Sequence, residues 1–148
     1  MTITDVMAEF ARTAAIGELR IGLTGPPLIH ALNEIGVSVD PADTPDFDDE
    51  VGSLEVHLRG GELIQLGMDN LGDFTFEFPG DPDRISFTMN EFLAVLADRH
   101  CRYGPDTALT YEGQQRAIRT AAGVSITFVP DESAAGEYRL HSLYSTAR

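Results

Sequence analysis

Four histidines, one cysteine and a dense run of carboxylates are the side chains in this 148-residue sequence that could do chemistry. Glu55 and His57 alternate onto one side of the run Ser53 to Leu58, which reads as a strand. A carboxylate beside an imidazole there could hold a divalent cation or move a proton. Thr75 and Glu77 would lie beside them across the next strands. The structural reading of the same residues is a polar sheet face with ordinary cross-strand pairs. His30 falls on a helix and His141 on a C-terminal strand, each apart in sequence from other metal-ligating side chains, which suits structural or solvated histidines. His100 and Cys101 are adjacent rather than spaced to meet, and the carbonyls that end a helix would raise a thiol pKa rather than activate it. Cys101 therefore reads as a buried free thiol.

Residues 40–50, DPADTPDFDDE, hold six acids and two prolines, so the expectation is an exposed acidic loop that neither buries itself nor pairs as a strand. A calcium loop needs alternating oxygen ligands, a central glycine and a terminal Glu between two helices. Here prolines intrude, the glycine is missing and a strand follows. Asp81-Pro82-Asp83 reads as a turn. Gly60-Gly61 and Gly22-Leu23-Thr24-Gly25 lack the spacing and the Lys of a phosphate loop, and there is no Gly-x-Ser-x-Gly elbow. The sequence thus assigns no catalytic residue, no metal and no cofactor. What it offers is a contact surface for a partner, made of Asp43, Asp46, Asp48, Asp49 and Glu50, with Phe47 as the one large apolar anchor among them.

The overall charge bears on which partner that is. Asp and Glu number 24 against ten basic residues, all of them Arg, for a formal net charge of −14. Residues 1–74 carry 14 acids and 3 arginines, whereas residues 75–148 carry 10 acids and 7 arginines, so one pole is strongly electronegative. Such a chain is repelled by a phosphate backbone and by an anionic bilayer, which excludes nucleic acid and membrane as expected partners. It would attract a basic protein. A lone cysteine fits a reducing compartment, and no apolar run approaches the roughly 20 residues of a membrane span, so the expected location is the cytoplasm.

The elements that must position these residues can be read from periodicity. Thr4 is placed to cap a helix over about 5–15, with Val6, Phe10 and Ala14 recurring along one stripe. Thr24 and Pro26-Pro27 open a second helix, with Leu28, Ile29, Leu32 and Ile35 on its apolar face and Gly36 as its left-handed end. The segments 53–58, 62–69 and 73–78 then form an antiparallel meander around the Gly60-Gly61 turn, burying Leu54, Val56, Leu58 and Phe74, Phe76, Phe78. Thr88-Met89-Asn90-Glu91 is a capping box that starts a helix running to about His100. Strands follow at 114–121, 123–129 and 136–146, the first of which could instead be a helical turn. The expected fold class is α+β: one domain over residues 1–148, with helices on one face of a mainly antiparallel sheet. A helix-plus-three-strand unit would be repeated in the halves 19–78 and 85–146.

The run Leu19 to Thr24 opening the second helix, Gly52 to Leu58 with Gly61 to Asp69, Phe92-Leu93, and the late Gly123 to Phe128 strand together resemble a group of small actinobacterial α+β proteins of immunity or inhibitor type. Where that group has Leu-Gly-x-Pro after the second helix, this sequence has Ile35-Gly36-Val37-Ser38. The opening segment is also similar to the repeats of β-lactamase-inhibitory proteins, in which a helix lies on an antiparallel sheet; those carry paired cysteines and this chain has one. Both likenesses imply a noncatalytic protein-binding module, an immunity or inhibitor protein that occupies a toxin or enzyme through an acidic surface. The alternatives are an accessory protein that self-associates, packing its sheet against a second copy, and a hydrolytic enzyme that uses Glu55 and His57.

Overall fold

The computed structural model describes residues 2–51, 54–69 and 87–147. Its first helix, α1 (Ile3–Thr13), is capped by Thr2 rather than by Thr4. The Thr2 Oγ1 accepts from the Asp5 N–H at 3.2 Å while the Asp5 carboxylate accepts from the Thr2 N–H at 2.9 Å. That reciprocal box satisfies two otherwise orphaned groups, which Thr4 at the second helical position has no geometry to do. The strands β1 (Ala15–Ile16) and β2 (Leu19–Arg20) make a small hairpin before α2 (Gly25–Glu34). Pro26 and Pro27 occupy the first turn of α2 as expected, and Leu28, Ala31 and Leu32 are its buried residues, while Thr24 at its N-cap makes no side-chain hydrogen bond.

The main sheet has seven antiparallel strands in the order β3-β4-β5-β9-β8-β7-β6. They are β3 (Phe47–Val51), β4 (Leu54–Arg59), β5 (Glu62–Met68), β6 (Tyr103–Pro105), β7 (Arg116–Thr120), β8 (Ser125–Pro130) and β9 (Tyr138–Thr146). Helix α3 (Met89–Asp98) carries the expected capping box, with Glu91 N–H donating to Thr88 Oγ1 at 3.1 Å. Residues 116–120 are a strand, not a helical turn, because each side is paired, to β6 and to β8. The expected strand 73–78, with Phe74, Phe76 and Phe78, lies outside the described residues. The strand found next to β5 is β9, so two meanders meet along that seam.

The acidic run is not the unpaired loop its composition predicts. Residues 47–51 form a strand despite their charge, paired residue for residue with β4 from Phe47↔Leu58 to Val51↔Leu54. The pairing is tolerable because β3 is an edge: its acids stay in water, Phe47 and Val51 pack against the core, and β4 supplies Arg59, which neutralises Asp48, and His57, which hydrogen-bonds to it.

The helices cover one face of the sheet. Val6, Met7, Phe10, Leu28, Leu32, Phe92 and Leu96 pack in one cluster with Leu54, Val56, Leu58, Leu66, Ile126 and Leu143. Two register shifts make that burial possible. In β5 the partners His57↔Gln65 and Leu58↔Leu63 leave Ile64 extra, and in β9 Thr127↔Ser142 and Phe128↔Leu140 leave His141 extra. Each bulge lets leucines three apart, Leu63 with Leu66 and Leu140 with Leu143, face the same core, which strict alternation forbids. Among the described residues no helix is long and apolar enough to cross a membrane.

Candidate functional site

The face of the sheet opposite the helices is where register collects the titratable groups. Asp48 lies beside His57 and Glu50 beside Glu55 across the β3–β4 pair; Glu55 then faces Gly67, and Gly67 faces Tyr144. Gly67 leaves a gap in the side-chain layer, and the Tyr144 ring fills it, since a Cβ at position 67 would collide with that ring. Passing over β5 in this way, the Tyr144 hydroxyl donates a short hydrogen bond to Glu55 Oε2.

This arrangement moves both groups off their ordinary acidities. Burial pushes the Glu55 carboxyl up; the Tyr144 hydrogen bond pulls it down, and the neighbouring Glu50 carboxyl and Asp69 push it up again. Burial, followed by the carboxylates of Glu55 and Asp69, drives the Tyr144 phenol well above its usual value, so it stays a donor at any physiological pH. His141, projected by the β9 bulge, places Nε2 3.4 Å from Asp69 Oδ1. The result is a patch in which the carboxyls of Glu50, Glu55 and Asp69 gather around the Tyr144 hydroxyl, with His141 at its margin.

The expected pair of Glu55 and His57 is on one face but is not joined. Glu55 turns to Tyr144, while His57 Nδ1 lies 2.8 Å from Asp48 Oδ1. Arg59 completes that second cluster, donating to both Asp48 oxygens at 2.8 and 3.1 Å. The Arg59 guanidinium, and then His57, hold the Asp48 carboxyl down at about 2. Thr75 and Glu77 lie outside the described residues.

The proposed contact residues divide into two kinds. Asp46 and Asp48 are engaged within the chain: Asp46 Oδ1 accepts the Gly60 N–H at 2.9 Å, and Asp48 is held as above. Asp43, Asp49 and Glu50 are exposed and form no ion pair with an arginine or histidine among the described residues. Phe47 is half-buried against the core, so only part of its ring is offered to a partner.

Two further features were not legible as sites. Glu18 Oε2 and Glu34 Oε1 stand 3.4 and 3.1 Å from His30 Nε2, so His30 is not isolated; its four-residue spacing from Glu34 was the available signal. A cleft of about 400 Å³ opens beside the 3₁₀ turn Thr107–Leu109, lined by Tyr111, Gln115, Arg116 and Tyr138 among others. In it the Arg116 guanidinium lies 4.3 Å over the Tyr138 ring. Cys101 is buried, and burial raises its thiol pKa, as an inert free cysteine requires. Compared with models of protein families, with curated proteins and with solved structures, the chain matches none of them.

Proposed function

We propose that this protein is a noncatalytic binding module of immunity or inhibitor type that receives a basic protein through the acidic edge of its sheet. The observation that carries the reading is the state of β3: an edge strand bearing three consecutive acids, of which Asp49 and Glu50 carry no counter-charge among the described residues, with Asp43, four residues before the strand, in the same condition. A structural acid is normally neutralised, as Asp48 is by Arg59; acids left without a counter-ion on a defined strand supply a fixed negative field. Such a field speeds encounter with a basic surface more than it deepens affinity. The internally bonded Asp46 and Asp48 hold the segment in shape, so it meets a partner preorganised.

The test is capture from lysate of the source cell at low and at high salt, followed by kinetic measurement on the partner identified. The reading expects one stoichiometric basic protein that is lost at high salt and that associates more slowly with a Asp43→Asn, Asp49→Asn, Glu50→Gln triple variant. A partner whose association rate is the same for the variant removes β3 from the interface. Recovery of the chain alone as a dimer favours the self-associating alternative.

A further inference from the structure

We propose that Glu18, His30 and Glu34 form an open binding site for a divalent transition-metal ion of the Zn²⁺ class. The three side chains bring one oxygen, one nitrogen and one oxygen to within 4.8 Å of one another. The two distances at the imidazole, 3.1 and 3.4 Å to Nε2, bracket the roughly 3.3 Å that separates two ligands each about 2.0–2.1 Å from a tetrahedral zinc. The imidazole selects against Ca²⁺ and Mg²⁺, which favour all-oxygen shells, and towards zinc and its neighbours.

The scaffold holds the donors from two directions. His30 and Glu34 are one helical turn apart on α2, whose opposite side is fixed by the buried Leu28, Ala31 and Leu32. Glu18 sits in the β1–β2 turn, between the buried Ile16 and Leu19, with Gly17 at φ +59° permitting the tight reversal that presents it to the helix. Two carboxylates therefore converge on a single imidazole, and no arginine is ion-paired to either among the described residues. A divalent cation bound between them would cancel the charge of the two carboxylates. Three protein donors leave a fourth position for water or for a side chain of another molecule. This site is independent of the acidic edge strand, and neither reading depends on the other.

The experiment is calorimetric titration of the purified full chain with ZnCl₂, with imidazole NMR signals followed in parallel. The expected result is one equivalent bound with the His30 ring resonances moving, a loss of at least tenfold in affinity for His30→Ala, and smaller losses for Glu18→Gln and Glu34→Gln. Because all three side chains are exposed, circular dichroism should be unchanged in each variant. His57→Ala and His141→Ala serve as controls for the two other histidine–carboxylate pairs, with Asp48 and Asp69, and should bind as the parent does. No uptake by the parent chain, or uptake that survives His30→Ala, or uptake that is instead abolished by either control, overturns the proposal.

Discussion

Tyr144 on β9 reaches Glu55 on β4 by lying across the intervening strand at Gly67. An aromatic ring over a strand glycine replaces the packing the missing side chain would have given, and here it also carries a hydroxyl to a partly buried carboxylate. The two meanders of the sheet are thereby joined by a side-chain bond as well as by the β5–β9 ladder.

Gly67→Ala tests the slot. At most strand positions with negative φ, exchanging Gly for Ala is neutral or stabilises by about 0.5–1 kcal/mol through chain entropy. At position 67 the new methyl meets the Tyr144 ring and the Leu143 carbonyl, so the sign should reverse, to a loss of about 1–3 kcal/mol. Urea unfolding reads this directly. In a Tyr144→Ala background the same substitution should cost less, and an equal cost in both backgrounds would mean that the ring does not occupy the gap.

Removing the hydroxyl alone gives a second measurement. Tyr144→Phe keeps the ring over Gly67 and withdraws the donor from Glu55, which should cost about 1–2 kcal/mol. It should also raise the Glu55 pKa further, since the hydrogen bond is the one influence lowering it. Carboxyl NMR of Glu55 in parent and variant decides this; a pKa that falls instead would show the bond favours the protonated acid.

The pH profile of stability should carry two opposite signatures. Glu55 has its folded pKa raised, so its contribution is full below the ordinary value near 4.5 and is lost as pH rises through the folded value. Asp48 is lowered to about 2, so its contribution is present above 3.8 and is lost as pH falls towards 2. Glu55→Gln should accordingly flatten the decline above pH 4.5 and leave the acid limb alone. Parallel urea midpoints for parent and variant from pH 4 to 7 would refute the assignment.

These features were legible in the sequence to very different degrees. The capping box at Thr88, the Gly60-Gly61 hairpin and the alternation of Leu54, Val56 and Leu58 are local signals, and local physics decides them. The α+β class followed from their order. The strand at 47–51 is not legible in the sequence because its pairing depends on Arg59 and His57, which only the hairpin brings opposite Asp48. Glu55 stands out in the sequence as a strand carboxylate, but its partner is 89 residues away and visible only once β5 and β9 are known to be neighbours. The bulges at Ile64 and His141 likewise answer to the shared core and leave only a broken alternation in the sequence.

The capping threonines should behave as their geometry implies. Thr88→Ala removes the acceptor for the Glu91 N–H and should cost about 1 kcal/mol. Thr4→Ala should cost less than Thr2→Ala, because Thr2 and not Thr4 closes the box with Asp5. Thermal unfolding of the three variants orders them; equal losses at positions 2 and 4 would place the start of α1 elsewhere.

The acids of the edge strand should separate into two classes on substitution. Asp48→Asn removes the carboxylate that Arg59 grips with two hydrogen bonds and that lies 2.8 Å from His57, so it should lower the unfolding midpoint of the free protein. Asp49→Asn and Glu50→Gln remove charges that no cation answers among the described residues, and Glu50 also crowds Glu55, so these changes should leave stability unchanged or raise it. If the unpaired acids exist to attract a basic partner, the same two substitutions should slow association and flatten its dependence on ionic strength. Dissociation should change much less, because long-range attraction acts on the encounter. Stability and association kinetics on the three single variants therefore discriminate a structural acid from a steering one. A loss of stability in Asp49→Asn equal to that in Asp48→Asn would show that both acids hold the strand and that neither is kept free for another molecule.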